Sequence, residues 1–315
     1  MFPWLACLLL FKSEPVPHDQ SKLWLARFAA GIAACGYLFA LFYSLVFKWV
    51  HWAHTTPVFA NWIWLSAVIG GTYVFVGIYY LVSGIGRAGL MRMARAISWK
   101  GGGFVLALIL SVRLVMHWIH GSAGVPLEVI LDGGNSIFVR SATLPGIFLV
   151  SHCVYWGPMF IVLGLFWSEI CRLGRERGYG VLAFLTLSLL MSITSESRHL
   201  SHVYPLIVVL GLVAMQRASM QRRLLPIVVI GSIVSSKIWY GITVEQMRGL
   251  DAFTGLIEFP WQRYFMHFGP WISPSMYLVQ GGVALVFMLV ILWLVAAGPR
   301  EVPVAAAADD LRGGR

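Results

Sequence analysis

Long runs of apolar residues constrain the fold of this chain more than any other feature. None of the eight runs alternates polar and apolar residues, and they cover residues 23–47, 59–82, 102–118, 144–167, 181–194, 201–215, 225–240 and 277–297. A helix crosses a bilayer with about 20 apolar residues, whereas a barrel strand alternates over about 10. Because 59% of the 315 residues are hydrophobic and only 11% are charged, a soluble domain is excluded. The sequence predicts an all-α polytopic integral membrane protein with eight or nine transmembrane helices, the ninth being residues 1–11, which are too few to span alone.

The charged residues predict how the helices are oriented. Residues 86–100 carry four cations and no acid, which is typical of a cytoplasmic loop. The connections 168–179 and 216–223 and the tail from Arg300 are expected on the same side, while the acidic loops and the bend at Glu196 are expected outside. We therefore expect one transmembrane domain over residues 1–298 and a disordered cytoplasmic tail over 299–315, in a bacterial inner membrane. The net charge of +10 follows from these loops, so no nucleic-acid partner is predicted, and four cysteines without CxxC spacing indicate packing residues.

One stretch, residues 194–205 (TSESRHLSHVYP), concentrates polar groups between two apolar runs. A carboxylate, a guanidinium and two imidazoles at the edge of the hydrocarbon are unfavourable unless they pair or bind something. We therefore predict a functional site here. Ion pairing between Glu196 and Arg198 is the structural alternative.

Histidines are concentrated on the side predicted to be extracytoplasmic. Six of the nine form three HxxH pairs, namely His51 with His54, His117 with His120, and His199 with His202. This spacing puts both rings on one helix face, as in metal sites of helical bundles, but histidine is also common at membrane interfaces. The cofactor is thus left open between none and a divalent metal, with haem less favoured.

Further charged residues could complete a site with the polar stretch. Arg113 and Lys237 lie within apolar runs near the outer side, where cations suit a phosphate group; for Lys237, snorkelling to the interface is an equal alternative. The loop 121–145 adds Glu128 and Asp132 on the same side, and a carboxylate there could act as a general base.

Residues Glu196-Ser197-Arg198-His199-Leu200, followed by Tyr204-Pro205-Leu206 at the start of the next run, resemble a late segment of the polytopic C-type (GT-C) membrane glycosyltransferases. The resemblance covers residues 144–297. It implies an extracytoplasmic site for a polyprenyl-phosphate sugar, with Arg198 on the phosphate side. The family's acidic motif in the first outer loop is missing between residues 47 and 61, so Asp132 or Glu128 would replace it, unless an N-terminal half is missing or the chain is a non-catalytic member.

The leading expectation is transfer of a sugar from a polyprenyl-phosphate carrier in the membrane. Its predicted catalytic residues are Glu196, Asp132 and His199, and its predicted substrate-binding residues are Arg198, Arg113, Lys237, His202 and Tyr204. Two alternatives stay open. One is a redox or metal protein that holds haem, copper or iron, or meets a quinone, through the outer histidines, and the other is a non-catalytic subunit that packs against partner membrane subunits.

Overall fold

A computed structural model describes residues 2–12, 14–16, 23–52, 62–85, 87–120, 144–194, 197–235 and 274–298. The described residues form helices and no strand. The α-helices are α1 (Phe2–Leu10), α2 (Leu23–Trp52), α3 (Ile63–Val82), α4 (Arg87–Arg95), α5 (Trp99–His120), α6 (Ile147–Trp156), α7 (Met159–Leu165), α8 (Trp167–Arg177), α9 (Tyr179–Ser192), α10 (Tyr204–Arg217), α11 (Gln221–Val234) and α12 (Pro274–Ala296). The predicted all-α class is therefore confirmed for this part of the chain.

Within the described ranges, three helical segments are long and apolar enough to cross a membrane: Leu23–Ser44, Ile63–Val82 and Tyr277–Ala296. Three further helices, α6, α9 and α10, are apolar but shorter. Large apolar side chains on α2, α5 and α12 face outward, such as Phe39, Leu114 and Leu278, each about 70% exposed. These features are compatible with a membrane protein, and the count of eight or nine spans stays a prediction.

The predicted run 144–167 is not one helix. It divides into α6 and α7 at Gly157, whose φ of 72° is a left-handed conformation, and Pro158, which has no N–H to donate. Ser232 of α11 approaches this break closely, since a Cβ added at Gly157 would lie 2.7 Å from Ser232 Oγ. Helix α11 therefore packs into the break.

The predicted connection 168–179 contains a helix, α8. Charged residues stabilise it along one face: Arg172 pairs with Glu169 at 2.5 Å and with Glu176 at 3.4 Å, at i,i+3 and i,i+4 spacing. Arg217, at the end of α10, joins Glu176 at 2.8 Å, and this hydrogen bond lowers the pKa of the Glu176 carboxyl. This stretch is as rich in charged residues as a loop, so the sequence alone did not indicate a helix. In the structure those charges pair with one another on the helix surface.

The short helix α1 packs between α5 and α9. The last residue of α1 and the segment after it are hydrogen-bonded to the link between α4 and α5, with Ser98 N donating to Leu10 O at 2.6 Å and Lys12 N donating to Ala96 O at 2.8 Å. Helix α4 also meets the start of α9, where Tyr179 Oη donates to Gly89 O at 2.8 Å. We call the end of the bundle formed by α4 and the C-terminal ends of α8 and α10 the basic end.

Helix α9 leads from the basic end to the opposite end of the bundle. Its 14 residues make a helix about 20 Å long, and Leu185 in its middle is fully buried in the core against α3, α8 and their neighbours. A 3₁₀ helix, Ser197–Leu200, follows α9; we call it the polar turn, and this end the polar-turn end. The basic connections and the polar stretch thus lie at opposite ends of the described structure.

Candidate functional site

The polar turn is anchored by the apolar residues that follow its charged ones. Leu200 is 4% exposed and Val203 is fully buried, and Val203 N donates to Leu200 O at 3.0 Å. Helix α10 then starts at Tyr204 with Pro205 in its first turn, where proline is favoured because its missing N–H would be unpaired in any case. The sequence therefore fixes a tight reversal rather than a loose loop.

A fully buried histidine of α6 holds the polar turn against the end of α9. His152 Nε2 lies 2.8 Å from Ser192 O, and His152 Nδ1 lies 2.8 Å from Ser197 Oγ. Since a carbonyl oxygen only accepts, Nε2 carries the proton, and in the neutral ring Nδ1 accepts from the Ser197 hydroxyl. We call His152, Ser192 and Ser197 the histidine clamp.

Tyr73 of α3 extends the clamp through a second serine hydroxyl. Ser192 Oγ donates to Leu189 O at 2.7 Å, so the Tyr73 hydroxyl, also 2.7 Å away, donates to Ser192 Oγ. Four segments, namely α3, α6, α9 and the polar turn, are therefore connected by buried or partly buried hydrogen bonds. Such a network is rigid, because moving one group away from its partner breaks a hydrogen bond and raises the free energy of the folded state.

Two aromatic residues connect the end of α6 to the start of α10. Trp156 and Tyr204 stack with ring centroids 4.0 Å apart, and Tyr204 Oη donates to Trp156 O at 3.2 Å. Trp156 Nε1 is buried and has no hydrogen-bond acceptor among the described residues. A buried N–H without an acceptor is unfavourable, so this donor calls for a partner beyond the described residues.

The predicted site residues fall into three groups. Glu196, Asp132 and Lys237 lie outside the described residues. The backbone of Arg198 and His199 forms part of the polar turn, but their side chains lie outside the described part of the structure. The remaining three residues, Arg113, His202 and Tyr204, have described side chains.

Arg113 and His202 are both exposed, but they belong to different parts of the bundle. His202 lies between the polar turn and α10, whereas Arg113 is on α5, whose main packing partner among the described elements is α1. The polar turn packs instead on α6 and α9. Tyr204 contacts Trp156, which lies on α6 as His152 does.

Sequence reasoning missed His152, Ser192, Ser197 and Tyr73. A signal for His152 was present, because it lies within the apolar run 144–167, and a polar side chain inside a span calls for a partner. The partners themselves carry no signal, since Ser192 and Ser197 are 40 and 45 residues away along the chain and buried serines are common in membrane helices.

Within the described ranges, no three His, Cys, Asp or Glu side chains come together as potential metal ligands. Of the HxxH pairs, His54 lies outside the described residues, and the side chains of His51, His117, His120 and His199 do as well. Comparison of the chain with family models, with curated proteins and with solved structures finds no match.

Proposed function

We propose that this chain is a membrane glycosyltransferase-like protein with eight or nine spans, which transfers a sugar from a polyprenyl-phosphate carrier. In this proposal the polar turn faces the extracytoplasmic side and the basic end faces the cytoplasm. The polarity of the loops supports this orientation, since cytoplasmic loops are enriched in Lys and Arg.

The histidine clamp is the observation that carries the proposal. It uses a buried imidazole, the hydroxyl of Ser197 and the backbone carbonyl of Ser192 to fix a turn of four residues, and the segment so fixed includes Arg198 and His199. Sites that bind or transfer charged groups need side chains held by such rigid supports, whereas a simple connection between two helices needs none.

The proposed chemistry assigns one role to each group. The oxygen of the acceptor forms a bond to the anomeric carbon of the sugar, and the bond from that carbon to the phosphate oxygen breaks. Arg198 holds the phosphate through paired N–H donors and stabilises the polyprenyl phosphate that leaves.

The acceptor loses a proton in this reaction, and Glu196 or Asp132 receives it as general base. His199 or His202 assists that proton transfer. Trp156 Nε1, a buried donor without an acceptor among the described residues, suits a phosphate or sugar oxygen beside the turn. Arg113 and Lys237 are the further cations proposed for the phosphate.

A binding measurement with undecaprenyl phosphate tests this proposal without knowledge of the sugar. We expect the lipid phosphate to raise the melting temperature of the purified protein in detergent, and Arg198→Ala to weaken its apparent affinity at least tenfold, because a charge-assisted pair is worth about 1.5–3 kcal/mol. Arg222→Ala is the matched control, since Arg222 is exposed and lies at the basic end in α11.

Two results would contradict the proposal. One is equal binding of undecaprenyl phosphate and undecaprenol, which would show that only the lipid tail is recognised. The other is a stoichiometric metal or a Soret band in the purified protein, which would favour the metal or haem alternative instead.

A further inference from the structure

Basic side chains gather around α4 and the start of α5 at the basic end. Arg92 and Arg95 are exposed and one turn apart on α4, and Lys100 is exposed in the first turn of α5. Lys12 is brought beside them, because its N–H donates to Ala96 O at 2.8 Å. We call Lys12, Arg92, Arg95 and Lys100 the α4 basic face.

Acidic residues offset little of this charge. Glu14, two residues from Lys12, lies close enough to Tyr179 to interact with it, as Arg92 does. The acids of α8, Glu169 and Glu176, are instead paired with Arg172 and Arg217. Among the described residues, no ion pair reaches Arg92 or Arg95, so the face keeps a clear excess of positive charge.

Apolar side chains lie next to these cations. Trp99, the first residue of α5, is 86% exposed, and Met91 of α4 is 53% exposed. Tryptophan favours the level of the lipid headgroups, and a basic helix with exposed apolar residues is typical of segments that lie in the membrane surface. A soluble anion would use the cations but not Trp99 or Met91.

The hydrogen bonds around α4 keep the face in place. Tyr179 Oη donates to Gly89 O at 2.8 Å, and Ser98 N donates to Leu10 O at 2.6 Å. Residues on both sides of the arginines are thus hydrogen-bonded to α9 and to the end of α1. The face is therefore presented on a fixed part of the bundle rather than on a free loop.

We propose that the α4 basic face binds the headgroup of an anionic phospholipid, with Arg92, Arg95 and Lys100 on the phosphate and Trp99 beside the upper acyl chain. Lys and Arg side chains near an anionic membrane surface strengthen such binding, because the surface potential attracts them. This inference is independent of the proposed transferase activity, because it concerns the opposite end of the molecule.

Native mass spectrometry of the delipidated full-length protein, titrated with phosphatidylglycerol or phosphatidylcholine, tests the proposal. We expect phosphatidylglycerol to bind more tightly, and Arg92→Gln combined with Arg95→Gln to weaken its binding about tenfold or more. Arg222→Gln combined with Arg223→Gln removes the same charge at the same end and is expected to change binding less than threefold. Melting temperatures of both double variants show that each is folded.

Three results would overturn the proposal. The first is equal binding of the two lipids by the unsubstituted protein. The second is an equal loss of phosphatidylglycerol affinity in both double variants. That result would mean that the lipid is attracted by the total charge of the basic end and not by the α4 basic face. The third is full displacement of phosphatidylglycerol by glycerol 3-phosphate at equal concentration, which would identify a site for a soluble phosphate.

Discussion

At the scale of single residues, His152 has the most demanding environment in the described structure. Its ring is fully buried, and both nitrogens are hydrogen-bonded at 2.8 Å. The ring reaches the carbonyl that ends α9 and the hydroxyl that starts the polar turn. A side chain that joins two other segments in this way cannot be replaced by an apolar one without leaving both of its partners unpaired.

Replacing His152 with alanine is therefore expected to lower the free energy of unfolding by about 2–4 kcal/mol, from the two unpaired groups and the cavity. Tyr73→Phe, which removes one hydroxyl from the same network, is expected to cost about 1 kcal/mol. Unfolding in detergent, followed by fluorescence, measures both. His202→Ala is the control, because His202 is exposed; equal effects of H152A and H202A would contradict the clamp.

At the scale of elements, the docking of α1 depends on glycines of its two neighbours. A Cβ added at Gly101 of α5 would collide with Leu9 O, and one added at Gly180 of α9 would lie 2.9 Å from Cys7 O. The backbones of the three helices thus approach closely at these points, as small residues permit in membrane helices.

Gly101→Ala and Gly180→Ala are expected to displace α1, whereas Gly103→Ala is not, since nothing lies within 4 Å of a Cβ at Gly103. The rate of maleimide labelling of Cys7, a half-buried thiol on α1, reports the displacement, and peptide mapping separates it from the other cysteines. We expect faster labelling in the first two variants. Unchanged labelling in G101A would show that α1 does not dock as described.

The elements also show which parts of the fold a sequence can predict. The apolar runs predicted the major helices, because burial in a membrane leaves a compositional signal. Helix α8 was missed, since its stability comes from pairs such as Arg172 with Glu169 that resemble loop charges. The histidine clamp was missed because its hydrogen bonds join residues 40 or more positions apart, and nothing local to Ser192 or Ser197 indicates a partner.

At the scale of the whole molecule, polar groups are separated between two ends of an apolar bundle. Arg217 and Glu176 interact at one end, and His152 holds Ser197 at the other, with the 14 residues of α9 between the two ends. If the bundle crosses a bilayer, its two ends face different aqueous compartments.

Cysteine labelling in whole cells tests this separation. In a background with the four native cysteines replaced by alanine, His202→Cys is expected to react with a membrane-impermeant maleimide added outside, and Arg222→Cys only after the membrane is permeabilised. Both positions are exposed on the protein surface. The side of the membrane on which each cysteine lies therefore decides whether the reagent labels it. Labelling of both cysteines from the same side would be incompatible with the proposed orientation.

The position of α1 between α5 and α9 also bears on the order in which the chain can assemble during synthesis. From Leu10 to Tyr179 the ribosome adds about 170 residues, which takes about 10 to 30 seconds at 5–20 residues per second. Of the two helices that α1 packs against, only α5 is made during that interval. Helix α1 is thus made before either of its partners, yet completes its packing only after α9 has been made, so its docking follows its own synthesis by most of that interval.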